Sequence, residues 1–113
     1  PSWDGIVKHL FLLNAIKKCL ALSGENLDSA DLEVADLTDA LLIGADLEVA
    51  NLKKCNLTNA DLSKADLSAA DMYAANLTNA NLSEAILKET LLDDAKMDGV
   101  KGYAPNMLFV EPH

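Results

Sequence analysis

Two hydrophobic periods divide the chain. Over residues 1 to about 22, Trp3, Ile6, Val7, Leu10, Leu13, Ile16 and Leu20 recur at intervals of three and four, the spacing of one helical face. Ser23-Gly24 stops that pattern. From residue 25 to residue 99 the period is five, through fifteen consecutive units. The third position of every unit is Leu, replaced only at Met72 and Met97. The first is Ala in twelve units, with Glu25, Cys55 and Thr90 as the exceptions, and the second is Asp or Asn in eleven.

Alanine and leucine favour helix, yet this spacing rejects one. At 100° per residue, a five-residue repeat advances about 140° beyond a full turn, which scatters its apolar positions around the whole helix. A single long strand fails as well, because the apolar positions alternate at intervals of two and three rather than a steady two. A bend in every unit resolves both conflicts. Ala and Leu then point inward together and the other three positions face outward. Successive coils stack about 4.8 Å apart and satisfy each other's backbone groups.

Four units per coil place residues twenty apart on top of one another, and the sequence repeats at that interval. Thr38-Asp39, Thr58-Asn59 and Thr78-Asn79 form one such set, and Asp31, Asn51 and Asp71 another. Alternating Asn with Asp relieves repulsion between stacked carboxylates. A second interval competes, since Leu-Glu-Val-Ala recurs after fifteen residues, at 32–35 and 47–50.

The Ala-Asp/Asn-Leu-x-x units over about two-thirds of the chain resemble the pentapeptide-repeat family. The resemblance implies a right-handed quadrilateral β-helix, in agreement with the square coil reached from the spacing. The expected fold is therefore an all-β solenoid of about four coils with an N-terminal α-helical cap. Residues 1–24 are assigned to the cap, 25–99 to the repeats and 100–113 to a C-terminal capping tail. Caps are needed because a solenoid exposes core and unpaired backbone at both ends. In the tail, Tyr103, Leu108 and Phe109 are the candidate cap or dimer contacts. Several relatives dimerise through an aromatic C-terminal segment, so monomer and end-to-end homodimer both remain open.

Composition narrows the function. Half of the 113 residues are apolar and only 4% aromatic, so the core is built from Leu and Ala. The net charge is −9 and the pI about 4.4, which argues against affinity for nucleic acid or an anionic membrane. The acidity is concentrated in the repeats, where sixteen acids face five lysines; residues 1–24 carry one acid and three lysines. Leu10 to Leu22 is interrupted by Asn14, Lys17 and Lys18 and is too short to span a bilayer. A soluble protein is expected, with its compartment unassigned.

Chemistry-bearing residues are sparse. Cys19 and Cys55 have no zinc-like spacing. Cys55 occupies an inward small position and reads as packing rather than a reactive thiol. His9 and His113 provide no evident base for any Ser or Cys. Columns of carboxylates such as Asp46 and Asp66 lack the six to eight converging oxygens that calcium takes. The Thr38/Thr58/Thr78 column is spaced like a threonine ladder of ice-binding β-helices, but three rungs beside Asp and Asn make a small, charged array. No enzyme, cofactor or metal site is expected.

What remains is surface. Leu41, Ile86, Leu91 and Lys96 break the outward Asp/Asn position. Leu41 and Ile43 flank inward Leu42, so both face outward, toward either the cap or a partner. With Lys53, Lys54 and Tyr73 they form the candidate interaction surface of a noncatalytic scaffold with an unidentified protein partner. Lys53 stacks one coil before Tyr73, which also allows a purely structural cation–π contact. The alternative, implied by resemblance to quinolone-resistance relatives, is an acidic DNA mimic acting on a DNA-binding enzyme such as gyrase. Fifteen units span only about 18 Å, or about five base pairs, so mimicry requires end-to-end dimerisation.

Overall fold

The computed structural model of the chain describes residues 21–103. The expected helix over 1–20 and the tail residues Leu108 and Phe109 lie outside the described residues. Parallel bridges join residues twenty apart in an unbroken series, from Ala21 with Leu41 to Asn81 with Lys101. Each coil thus takes four five-residue sides, and residues 21 to 101 complete four coils. The fifteen-residue recurrence of Leu-Glu-Val-Ala does not set the register.

The unit 46–50 shows why five residues suffice. Asp46 N–H donates to the Glu25 carbonyl of the coil before it, at 3.0 Å. Leu47 and Val49 donate to the carbonyls of Asp66 and Ser68 on the coil after it, at 2.8 and 2.9 Å. Ala50 donates back to Leu47 across the turn, at 3.1 Å. The remaining N–H, that of Glu48, finds no backbone acceptor and donates to Asp46 Oδ1 at 3.1 Å. All five donors are satisfied, as a buried-backbone lattice requires.

The outward Asp/Asn is therefore a structural part. Its side chain reproduces a turn acceptor two residues ahead, the Asx arrangement. Asp36, Asn56, Asp61, Asp66, Asn76 and Asn81 hold the same bond to Thr38, Thr58, Ser63, Ser68, Thr78 and Ser83. Where Thr follows, its hydroxyl donates to the same oxygen, at 2.7 Å for both Thr38 and Thr58.

Each corner places its fourth residue, counted from Asp/Asn, at positive φ, between 57° and 66° for the non-glycine residues. Positive φ at the third of the four turn residues is the type II signature. Most such corners here carry Ser, Asn, Asp, Lys, Glu or Ala, but Val34 and Val49 occupy two of them at 66° and 61°. β-Branched residues rarely tolerate this region.

Inside, Leu22 through Leu82 and the alternating Ala residues form one continuous core, with its Leu and Met side chains at most 1% exposed from Leu22 to Leu87. Ala21–Gly24 already form a side of the first coil. Leu22 is buried and Ala21 bridges Leu41, so the coil starts four residues before the expected boundary at residue 25. At the far end, Lys101 still bridges Asn81, while Leu92, Ala95 and Met97 are only partly buried. Gly102 then turns away with φ of 76°, pressed so close to Ser83 that a Cβ would stand 2.5 Å from its Cα.

Candidate functional site

Half a coil separates residues ten apart, so the expected surface residues divide between two opposite corners of the square. Leu41 and Ile43 lie on the side 41–45 of the second coil. Lys53 and Lys54 close the side 51–55, and Tyr73 occupies the equivalent corner one coil later. The five residues form two separate clusters, which four-unit counting from the sequence was sufficient to reveal.

The first cluster is apolar and uncharged. Leu41 is 45% exposed and Ile43 39%. Ala21 stacks beside Leu41, and the neighbouring corners Gly24 and Gly44 have open space where a side chain would stand. Leu41 has no side-chain acceptor for the following turn, and the gap is filled from the coil below: Ile43 N–H donates to Ser23 Oγ at 3.1 Å. That device was not evident from the sequence, where the outward columns were read as charge relief and not as acceptors for turn N–H groups. It lets an apolar residue occupy the Asx position without orphaning a donor.

The second cluster is mixed. Lys53 Nζ stands 3.9 Å from Asp71 Oδ2, with both side chains about one-third exposed, a loose surface pair of little energetic weight. Tyr73 is 41% exposed and its N–H is held by Asp71 Oδ1 at 3.1 Å. Asp71 thus supports the Tyr73 turn and faces Lys53 at once. Tyr103, the described member of the expected C-terminal contacts, packs half-buried against the core.

A further group was missed because each carboxylate column was considered by itself and not together with its neighbour. Asp28 on the first coil and Asp46 and Glu48 on the second bring oxygens within 4.8 Å of one another. Asp28 and Glu48 stack directly, twenty residues apart, and Asp46 joins them from the neighbouring column. Asp66 and then Asp46 are the largest causes of the raised pKa of Glu48. Asp46 Oδ1 is already engaged by Glu48 N–H, and three carboxylates fall well short of a calcium coordination shell. The group is a focus of negative potential. By contrast, hydrogen bonds from the Thr38 hydroxyl and then its N–H hold the Asp36 carboxyl below its usual range.

Cys55 is buried, and desolvation pushes its thiol up to about 12. A thiol so far from ionisation is a poor nucleophile. Among the described residues no helix is long and apolar enough to cross a membrane.

The model for pentapeptide repeats matches residues 30–68 and 65–101 in eight copies. The chain belongs to the pentapeptide repeat family. Pentapeptide repeat proteins fold as right-handed quadrilateral β-helices, the architecture seen here in the twenty-residue bridge register. Among solved structures, the pentapeptide repeat protein alr5209 from Nostoc PCC 7120 is 32% identical, with a TM-score of 0.70, over 79% of this chain and 73% of that one. HetL, a pentapeptide repeat protein involved in heterocyst differentiation regulation from Nostoc sp. strain PCC 7120, is 30% identical over 71% of this chain. That alignment spans 46% of HetL, with a TM-score of 0.40. QnrB1, a plasmid-mediated fluoroquinolone resistance protein, is 20% identical over 74% of this chain and 68% of its own, with a TM-score of 0.41. No curated protein sequence matches the chain.

Proposed function

We propose that this pentapeptide repeat protein is a noncatalytic interaction module that binds a protein partner through the Leu41/Ile43 strip. The observation that carries the reading is that Leu41 and Ile43 expose apolar surface together on one side of the coil, with the Ile43 N–H satisfied by Ser23. A lattice in which each coil bonds its neighbours holds that strip rigid, and rigidity limits the entropy lost on binding. The Lys53/Lys54/Tyr73 corner is a separate contact of the same module.

The test compares wild type with a Leu41→Asp, Ile43→Lys double variant as baits in native lysate, each checked for intact folding by circular dichroism. Loss of a specific protein from the variant alone supports the reading. Capture of the same proteins by both baits overturns the strip as the contact.

A second reading, an acidic mimic of duplex DNA directed at an enzyme such as gyrase, draws on the Asp28/Asp46/Glu48 focus and the acidic repeat body. Four coils span only about 19 Å, between five and six base pairs. The mimic must therefore be a dimer joined end to end, and light scattering that finds a monomer removes it.

A further inference from the structure

The four sides of the square differ in charge. The side that holds Leu41 and Ile43 presents two outward columns, Ala21, Leu41, Asp61 and Asn81 in one and Ser23, Ile43, Ser63 and Ser83 in the other, with Asp61 their single charge. The same two columns carry between three and five charged residues on each of the other sides. With a net charge of −9, identical copies repel one another. Contact between them is cheapest through the least charged side.

The two columns of that side also complement each other. A two-fold axis parallel to the solenoid and centred over Leu42 exchanges them, as an isologous contact requires. Leu41 then meets Ile43 of the second copy, apolar on apolar, and the open space at the Gly44 corner makes room for it. Asp61 meets Ser63 and, at the corner beside it, Lys64. Asp61 Oδ1 is held within its own chain by the Ser63 N–H and hydroxyl, at 3.0 and 2.7 Å, which leaves Oδ2 for that lysine. Asn81 meets Ser83. The same operation on the next two sides sets Asp46 on Glu48 and Asp31 on Glu33, like charge on like. On the fourth it sets Asn56 on Thr58, whose hydroxyl is already given to Asn56 of its own chain, with no large apolar side chain to bury.

We propose that two copies of this chain pack side by side through the Leu41/Ile43 face, their solenoids parallel, with Lys64 of each copy beside Asp61 of the other. This dimer rests on the strip being a contact surface and supplies its occupant. A face about 19 Å tall buries well under the ~1,600 Å² of a standard interface, so the dimer is weak and fills only at about 100 μM and above.

Sedimentation of the full chain over a series from about 5 to about 500 μM tests this, and a monomer–dimer equilibrium is expected. Leu41→Asn keeps an Asx oxygen, and Lys64→Glu installs a residue that already occupies the equivalent corner at Glu84. Each should raise the dissociation constant about tenfold or more. Adding Asp61→Asn to Lys64→Glu should recover most of that loss, because the new glutamate no longer faces a carboxylate; mere loss of stability would not be reversed in this way. A wild type that stays monomeric throughout overturns the proposal, while capture from lysate still decides whether the strip meets another protein. A dimer untouched by Leu41→Asn is joined through another surface, and one indifferent to Lys64→Glu has another arrangement. Either result overturns the proposal as well.

Discussion

The thiol of Cys55 donates to the carbonyl oxygen of Leu32, 2.9 Å away on the preceding coil. Thr90 makes the same connection with Leu67 at 2.7 Å. Both occupy the inward position that is otherwise alanine, and both reach a carbonyl that also accepts its own turn N–H, from Ala35 and Ala70. A polar atom at this position is thus a second fastening between coils. Cys55→Ser should leave the denaturation midpoint nearly unchanged, and Cys55→Ala should lower stability by about 0.5–1 kcal/mol, since the Leu32 oxygen keeps one partner. Urea titration distinguishes the two.

Ser23 and Leu41 should be coupled. In the wild type, Ser23→Ala strips the acceptor from Ile43 N–H and should cost about 1 kcal/mol. In a Leu41→Asn background the asparagine supplies its own Asx oxygen, so Ser23→Ala should cost almost nothing. A double-mutant cycle measured by chemical denaturation reads the difference. Additive losses would mean that the Ser23 bond contributes nothing to stability.

Val34 and Val49 combine positive φ with exposures of 66% and 59%, so burial gives little return for the strain. Asparagine tolerates this region and occupies equivalent corners at Asn59 and Asn79. Val34→Asn and Val49→Asn should each raise stability by about 1 kcal/mol. Thermal melts showing a loss instead would indicate that the valine side chains make contacts outweighing the strain.

The raised pKa of Glu48 gives a signed dependence on pH. Its folded carboxylate is disfavoured by Asp66, Asp46 and Asp28, so the folded state holds the proton more tightly than the unfolded chain does. The destabilisation is absent below the ordinary value of 4.5 and complete above the raised folded value. Glu48→Gln should therefore raise the Tm at pH 7, with the gain shrinking at acid pH and in high salt. A gain that persists in acid would point to packing instead of charge.

Much of this architecture is legible in the chain because the inward residues are nearly invariant. Leu or Met at the third position of every five-residue unit from Leu27 to Met97 leaves one arrangement that buries them together. Residues 21–24 were assigned to the helix because Leu20 and Leu22 continue its apolar run and Ala21 stands where an Asx residue marks later units. The outward columns were visible as columns, but the role of the Asx oxygen was not. Charge relief explains why Asp and Asn alternate, whereas the stranded N–H two residues ahead explains why one of them is present at all. The surface was least legible. Leu41 and Ile43 do face outward, but grouping them with Tyr73 ignored the half-turn between them, and the acidic focus joins a stacked pair, Asp28 and Glu48, to Asp46 of the neighbouring column.

The lattice of bonds between residues about twenty apart leaves the interior and the exterior answering to different arithmetic. Loss or gain of five residues rotates everything downstream by a quarter turn relative to everything upstream. The interior scarcely registers it, because any unit presents the same Ala and Leu to its new neighbours. The exterior is re-dealt: after removal of 61–65, Thr78 no longer continues the column of Thr38 and Thr58, and Tyr73 leaves the line of Lys53. Slippage in whole units thus shuffles the recognition face of a solenoid while its stability is largely conserved, so related chains can share a core and meet quite different molecules.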